Sequence, residues 1–369
     1  DVDSCYAAAR CGNLEMLKWL RENGCPRQPH AVSQVAALGG HLATLQWLIK
    51  NGSTWTKFTC AAAAEGGKLG VLQWLRENGC AWDCRTCEKA AANGHLEVLK
   101  WARENGCPWD NRVCHAAALG GHLETLQWLR EQGCPWTSAT CSMAAKGNHF
   151  EVLQWARENG CDWTVDTCAE IAGNGQLKML KWAREKGCPW DETCFSSAAS
   201  SGHLKVLKWM KKKGCPSDED SFRSATRNGH LKVLKWLWKN GIVVSVHEID
   251  ASHCGHLHVI KWLRKKGFSW GYTALEFIGL HGDVETMKWM RENGCPWNEE
   301  ITRIAAGYGN VEVMRWAVEN GSPWNEFRAL WNAPDHVAIW AKEHGMTSWV
   351  TQIILFLKAT GLKNFCPIQ

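Results

Sequence analysis

The sequence predicts an all-α fold, a helix-turn-helix repeat solenoid of about thirteen copies. Three observations carry that prediction. First, one Trp recurs at Trp19, Trp47, Trp74, Trp101, Trp128, Trp155, Trp182, Trp209, Trp236, Trp262, Trp289, Trp316 and, more weakly, Trp340. The gaps are 28, then 27 seven times, then 26, 27, 27 and 24, and a fixed period of roughly 20–50 residues marks a repeat array. Second, the residues around that Trp recur with it, as in Gly94–Cys107, Gly121–Cys134 and Gly175–Cys188. Third, nearly every copy carries a helix-start residue and a helix-stop glycine at constant phase.

A single copy, residues 83–109, shows why. Asp83 suits a helix N-cap, and Thr56, Asp110, Thr137, Thr164, Asp191, Asp218, Ser245, Asn298 and Asn325 share its phase. The short helix A that follows keeps Cys87, Ala90 and Ala91 to one side, and such small residues let neighbouring helices come close. Gly94 ends it. Helix B is expected from about His95 to Asn105, with Leu96, Leu99 and Ala102 as its buried stripe and Val98 and Trp101 widening it. Glu97, Lys100, Arg103 and Glu104 lie off the stripe. Gly106 supplies a left-handed cap, and Pro108 cannot continue the helix.

These residues resemble the ankyrin repeat. Ala90, Ala91, Gly94, His95, Leu96, Glu97, Val98, Leu99 and Gly106 match its pattern position by position. Cys107 stands where ankyrins place Ala, and Cys87 where they place the Leu of their TPLH box, which is absent here. The copy has 27 residues rather than about 33, and the shortfall lies between Trp109 and Cys114. Ankyrins build a β-hairpin finger there, so the resemblance implies a shortened repeat without the finger. It also implies a binding protein rather than an enzyme, and a repeated His (His41, His95, His122, His203, His230, His256) bonded to neighbouring backbone.

The array is expected to span residues 1–346, with 347–369 as a C-terminal capping helix and tail read from the apolar run Trp349–Ala359. The outer face of the first copy carries no polar cover, so an upstream segment or a partner is expected over it. Copy two has one extra residue and lacks both Cys. In copy six, Gly147-Asn148-His149-Phe150 is expected to displace the Gly-His-Leu element by one place. The run Gly241–Ser245 lacks the Pro-Trp linker and is the expected site of a bend, and Pro334 is expected to interrupt the last helix A. No apolar run reaches the roughly 18 residues of a membrane span.

Nineteen Cys would suggest a disulfide scaffold in a small secreted chain. Here the repeat distributes them. Cys25, Cys80, Cys107, Cys134, Cys161, Cys188, Cys215 and Cys295 follow the glycine that ends helix B. Cys5, Cys60, Cys87, Cys114, Cys141 and Cys168 lie in helix A. The expectation is reduced, packed thiols acting as small hydrophobes in a reducing cytoplasmic or nuclear compartment.

The net charge is +5, unevenly spread. From Gly202 to Gly267 there are fourteen Lys and Arg against five Asp and Glu, a local +9 that leaves the rest at −4. Four residues before the repeated Trp, the usual acid (Glu15, Glu97, Glu124, Glu151, Glu285, Glu312) becomes Lys178, Lys205, Lys232 and then His258. Three residues after it, Glu becomes Lys212, Lys239 and Lys265. With Lys208, Lys211, Lys235, Lys261 and Arg264, these form a candidate band for RNA, a ribonucleoprotein or another polyanion. Close helix packing, about 8–10 Å, is expected to bring the rows together. A second candidate is the variable face of helix A (Glu88, Lys89, Ser142, Met143, Ser196, Arg223, Ser224), offered to another protein or a multi-subunit complex.

Candidates for chemistry mostly dissolve into the repeat. His256 of the run His253–His258 belongs to the repeated Gly-His, and Cys87 of the Cys84/Cys87 pair is a core position. Phosphate-loop, dinucleotide and nucleophile-elbow motifs are absent. The Trp series Trp82, Trp109, Trp136, Trp163 and Trp190 is expected to pack between repeats. The reading is therefore a non-enzymatic scaffold or adaptor, with no catalytic residue, cofactor, metal or small-molecule substrate.

Overall fold

The computed structural model describes residues 2–24, 30–244, 256–270, 284–295, 299–331 and 333–345. Among them are 24 helices and no strand, so the fold is an all-helical repeat array with no hairpin finger in the described linkers. The chain divides into two compact units, residues 1–194 and 195–369. The first holds pairs such as Lys57–Glu65 with Leu69–Glu77, Cys84–Ala92 with Leu96–Glu104, and Asn111–Gly120 with Leu123–Glu131. The second holds Asp220–Arg227 with Leu231–Lys239 and Glu300–Gly307 with Val311–Glu319. The expected capping helix, Ser245, Asn298, and much of the expected bend fall outside the described residues.

The local signals do what their chemistry predicts. The Asp83 side chain accepts from the Arg85 amide at 3.1 Å, Asp110 from Arg112 at 3.0 Å, and Asp191 from Thr193 at 2.9 Å, satisfying amides that the helix leaves unpaired. Thr164 departs from the pattern. It makes no side-chain cap, and its hydroxyl donates to Asp166 instead. In Leu96–Glu104, Val98, Leu99 and Ala102 are buried, while Leu96 and Trp101 are half-buried.

Two expectations are corrected. Copy six is not displaced: Phe150–Glu158 starts in register with its neighbours. Asn148 itself adopts the left-handed conformation, φ 62°, where the flanking copies use Gly121 and Gly175; Asn is a residue that tolerates it. Pro334 does not interrupt helix A either. The final helix A is the short Glu326–Leu330, and Pro334 opens Asp335–Glu343 from the N-cap. The residues missing from the 24-residue gap come out of the end of helix A.

In the first unit the A helices of successive copies pack directly on one another, while successive B helices make no comparably close approach. Residue size explains the difference. The A–A seam is lined by Cys87, Ala90, Ala91, Cys114, Ala117 and Ala118, all fully buried. The B side is propped by paired Trp. Trp82 meets Trp101 at 5.8 Å, Trp109 meets Trp128 at 5.9 Å, and Trp136 meets Trp155 at 6.0 Å, each edge-on. An Arg of the preceding helix B covers the other side: Arg76 over Trp82 and Arg103 over Trp109, both at 4.2 Å. The linker Trp are thus inter-repeat packing, as expected.

The repeated His closes the seam. His95 Nε2 lies 3.0 Å from the Glu65 carbonyl, His122 3.1 Å from that of Ala92, and His230 2.9 Å from that of Ser200. Each bond reaches the helix A end of the preceding copy. Gly94, at φ 70°, makes room for it: a Cβ there would stand 2.5 Å from a nitrogen of His122.

Candidate functional site

Helix A supplies the first candidate surface. Its buried phases are mostly Cys and Ala in copies three to seven, but two adjacent phases change in charge and polarity. One reads Ala61, Glu88, His115, Ser142, Ala169 in the first unit and Ser196, Arg223 in the second. The next reads Ala62, Lys89, Ala116, Met143, Glu170, then Ser197, Ser224. Glu88, Lys89, Met143, Ser196, Arg223 and Ser224 are half-buried. Ser142 is not a surface residue: it is 8% exposed, and its hydroxyl bonds Thr167 at 3.1 Å across the seam. Lys89 pairs with Glu65 of the preceding copy at 3.0 Å, and Arg223 with Asp220 at 2.8 Å. Burial lowers the His115 pKa, and its ring nitrogen meets Thr137 Oγ1 at 3.0 Å.

The N-cap row beside this face is electrostatically closed. Arg85 lies 2.6 Å from Asp83, with Lys57 at 3.2 Å on the other side. Hydrogen bonding by Arg85, then Lys57, pulls the Asp83 carboxyl down to about 2. Asp110 is lowered the same way by Arg112, 2.8 Å away.

The second candidate is the basic band, and the structure divides it. Lys178 belongs to the first unit, where it is exposed with its ammonium 6.0 Å from the Phe150 ring centre. In the second unit Lys205, Lys208, Lys211, Lys212, Lys232, Lys235, Lys239, Lys261 and Lys265 are exposed. Arg264 is committed elsewhere, stacked 4.6 Å over Trp270 and donating to the Phe268 carbonyl at 2.5 Å. Lys261 lies 5.4 Å from the Trp289 ring. Helices Leu204–Lys212 and Leu231–Lys239 make little close backbone approach, so the rows are a looser array than close packing of B helices would give.

What sets the band apart is a lost internal partner. Elsewhere the Lys just before the repeated Trp is neutralised one turn back: Lys18 by Glu15 at 2.7 Å, Lys100 by Glu97 at 2.9 Å, Lys288 by Glu285 at 2.8 Å. For Lys208 and Lys235 the residue at that spacing is Lys205 and Lys232. The acid of the surface pair is replaced by a second cation.

His258, placed on the outer face by its phase, is exposed, but its Nε2 lies 3.0 Å from the Gly229 carbonyl. It joins the inter-repeat contact at that step. His247, His253 and Cys254 lie outside the described residues. The Cys84/Cys87 spacing brings no thiol pair together. Cys84 Sγ faces Arg112 at 2.9 Å, and the Cys87 thiol hydrogen-bonds Cys107.

That pairing is the feature the sequence reading missed. It treated the two Cys phases as separate fillers. In the fold they meet within each copy, and the constant 20-residue spacing from Cys60 to Cys80, Cys87 to Cys107, Cys114 to Cys134, Cys141 to Cys161 and Cys168 to Cys188 was the available signal. The expectation of uniformly reduced thiols also fails at one place. Fifteen described Cys are free, but Cys5 is disulfide-bonded.

Among the described residues no helix is long and apolar enough to cross a membrane. Residues 87–130 match the family profile described as ankyrin repeats in many copies. No curated protein matches the chain. Among solved structures, the human ASB11 ankyrin repeat domain is similar at 20% identity over 43% of this chain and 84% of that one, with a TM-score of 0.35.

Proposed function

We propose that this chain, whose residues 87–130 match the ankyrin-repeat profile, is an ankyrin-type protein-interaction module, a non-enzymatic scaffold that reads a protein partner along helix A. The observation that supports this is the pair of variable phases. Glu88, His115 and Ala169, and beside them Lys89, Met143 and Glu170, change chemistry from copy to copy, while the buried phases of helix A in copies three to seven stay small and mostly Cys and Ala. A surface whose side chains vary while its backbone repeats suits a partner lying across several copies. The reading places the chain in the cytoplasm or nucleus on its fifteen free thiols, with the Cys5 disulfide against it. It also keeps the array as one domain over residues 1–346, closed by 347–369.

The unpaired cations of the second unit support a second reading, docking to RNA, a ribonucleoprotein or another polyanion through Lys205, Lys208, Lys232 and Lys235. Phosphate neutralisation would make that affinity fall steeply with salt.

One experiment separates the two. The full chain is crosslinked to partners in native extract, with and without nuclease, as wild type, as Lys89→Ala/Met143→Ala, and as Lys208→Glu/Lys212→Glu/Lys235→Glu/Lys239→Glu. Scaffolding through helix A predicts nuclease-resistant capture, reduced at least about tenfold by the first variant and unchanged by the second. Capture lost to nuclease and to the Lys variant would sink it in favour of the second reading.

A further inference from the structure

We propose that the five intact Cys pairs of the first unit are an oxidative modification site, each closing into a disulfide within its own repeat when a peroxide reaches it. The pairs are Cys60/Cys80, Cys87/Cys107, Cys114/Cys134, Cys141/Cys161 and Cys168/Cys188.

Three observations support this. The first is proximity. Cys114 Sγ lies 4.0 Å from the Cys134 carbonyl oxygen, Cys141 Sγ 3.8 Å from that of Cys161, and Cys168 Sγ 4.0 Å from that of Cys188. In all five pairs contact with the linker Cys is the largest cause raising the pKa of the helix A thiol, and Cys168 also contacts Cys194. All ten residues are at most 1% exposed, so the sulfurs are held together rather than meeting by chance at the surface. The second is Cys5. It occupies the helix A phase of the first copy and is disulfide-bonded, while the other fifteen described Cys are free. The third is constant spacing. Each of the five pairs stands 20 residues apart, one Cys at the helix A phase and one at the linker phase.

The two thiols of a pair are not equivalent. The hydrogen bond from Cys87 lowers the Cys107 pKa, and the same contact, followed by burial, raises that of Cys87. Cys60/Cys80, Cys114/Cys134 and Cys141/Cys161 are polarised alike. In these four pairs the linker Cys has the lowered pKa, and the thiolate is the nucleophile. Cys107 attacks one oxygen of hydrogen peroxide: an S–O bond forms, the O–O bond breaks, and the hydroxide released leaves as water with the proton Cys107 gave up. Cys107 is then a sulfenic acid. Cys87 sulfur attacks Cys107 sulfur, an S–S bond forms, the S–O bond breaks, and the departing hydroxide takes the Cys87 proton as a second water. Two thiols are oxidised by two electrons, and one peroxide is reduced. Because both sulfurs are buried, entry requires the linker after Gly106 to open, and that turn lies outside both helices.

The test uses the full chain. The reduced, desalted protein is treated with hydrogen peroxide while its helical circular dichroism is monitored. Remaining thiols are alkylated after denaturation, and disulfides are mapped. The expected products are the five named bonds, each with loss of two hydrogens and reversed by dithiothreitol, and a higher melting temperature. Cys107→Ser should remove only the Cys87/Cys107 bond, and Cys134→Ser only the Cys114/Cys134 bond. The two variants together guard against one that fails to fold. Pairs that stay fully alkylatable in a chain of unchanged helicity overturn the proposal. So do bonds that join Cys across copies, or Cys84 to Cys87.

Discussion

At the scale of single residues, this array tolerates substitution where the replacement supplies the same physical property. Asn148 shows it, holding φ 62° where neighbouring copies use glycine. A non-glycine residue there carries part of the left-handed penalty, so Asn148→Gly is expected to stabilise the chain by about 0.5–1 kcal/mol, read as a higher urea midpoint at unchanged slope. A lower midpoint would mean that the Asn148 side chain does more than tolerate the turn. The reading of Gly147–Phe150 as a displacement took the glycine as the marker. The position was in fact fixed by backbone conformation, which the letters report only indirectly. Arg264 teaches the same lesson for function. By phase it belongs with the lysines, but its guanidinium is spent on Trp270 and the Phe268 carbonyl.

At the scale of elements, the repeat is held by unequal sides. Small residues bring the A helices together, and Trp with Arg keeps the B side filled. Trp109 is the clearest case, between Arg103 at 4.2 Å and Trp128 at 5.9 Å. Trp109→Ala removes both contacts and part of a half-buried surface, an expected loss of about 2–3 kcal/mol. Thermal or urea unfolding checks it, and a loss below about 0.5 kcal/mol would show that the ring is not the clamp described here. The existence and type of these helices were legible because a cap, a stripe and a stop recur in phase. Which side packs tightly was not, because the spacing of 8–10 Å expected of packed helices was applied to both sides.

At the scale of the molecule, a repeat array is stabilised by each copy and its neighbours. Leu126 is fully buried in the Leu123–Glu131 helix, and Leu126→Ala is expected to cost about 2–5 kcal/mol. Within the first unit, hydrogen exchange should rise most in the copies beside Leu126 and fall off with distance along the chain. A uniform rise over residues 1–194 would show that the unit unfolds all at once rather than as a one-dimensional array.

The sequence by itself determined the repeat, its 27-residue period, its helix pair, and the phases at which lysine replaces glutamate. All of these are periodic properties, and periodicity survives without coordinates. Tertiary structure alone decided which residues at those phases are available. It buried Ser142 beneath the helix A face and withdrew Arg264 from the basic band. It also brought together cysteines 20 residues apart. Contact between two phases depends on how helix A folds back on the linker after helix B, a three-dimensional relation that a one-dimensional pattern does not encode.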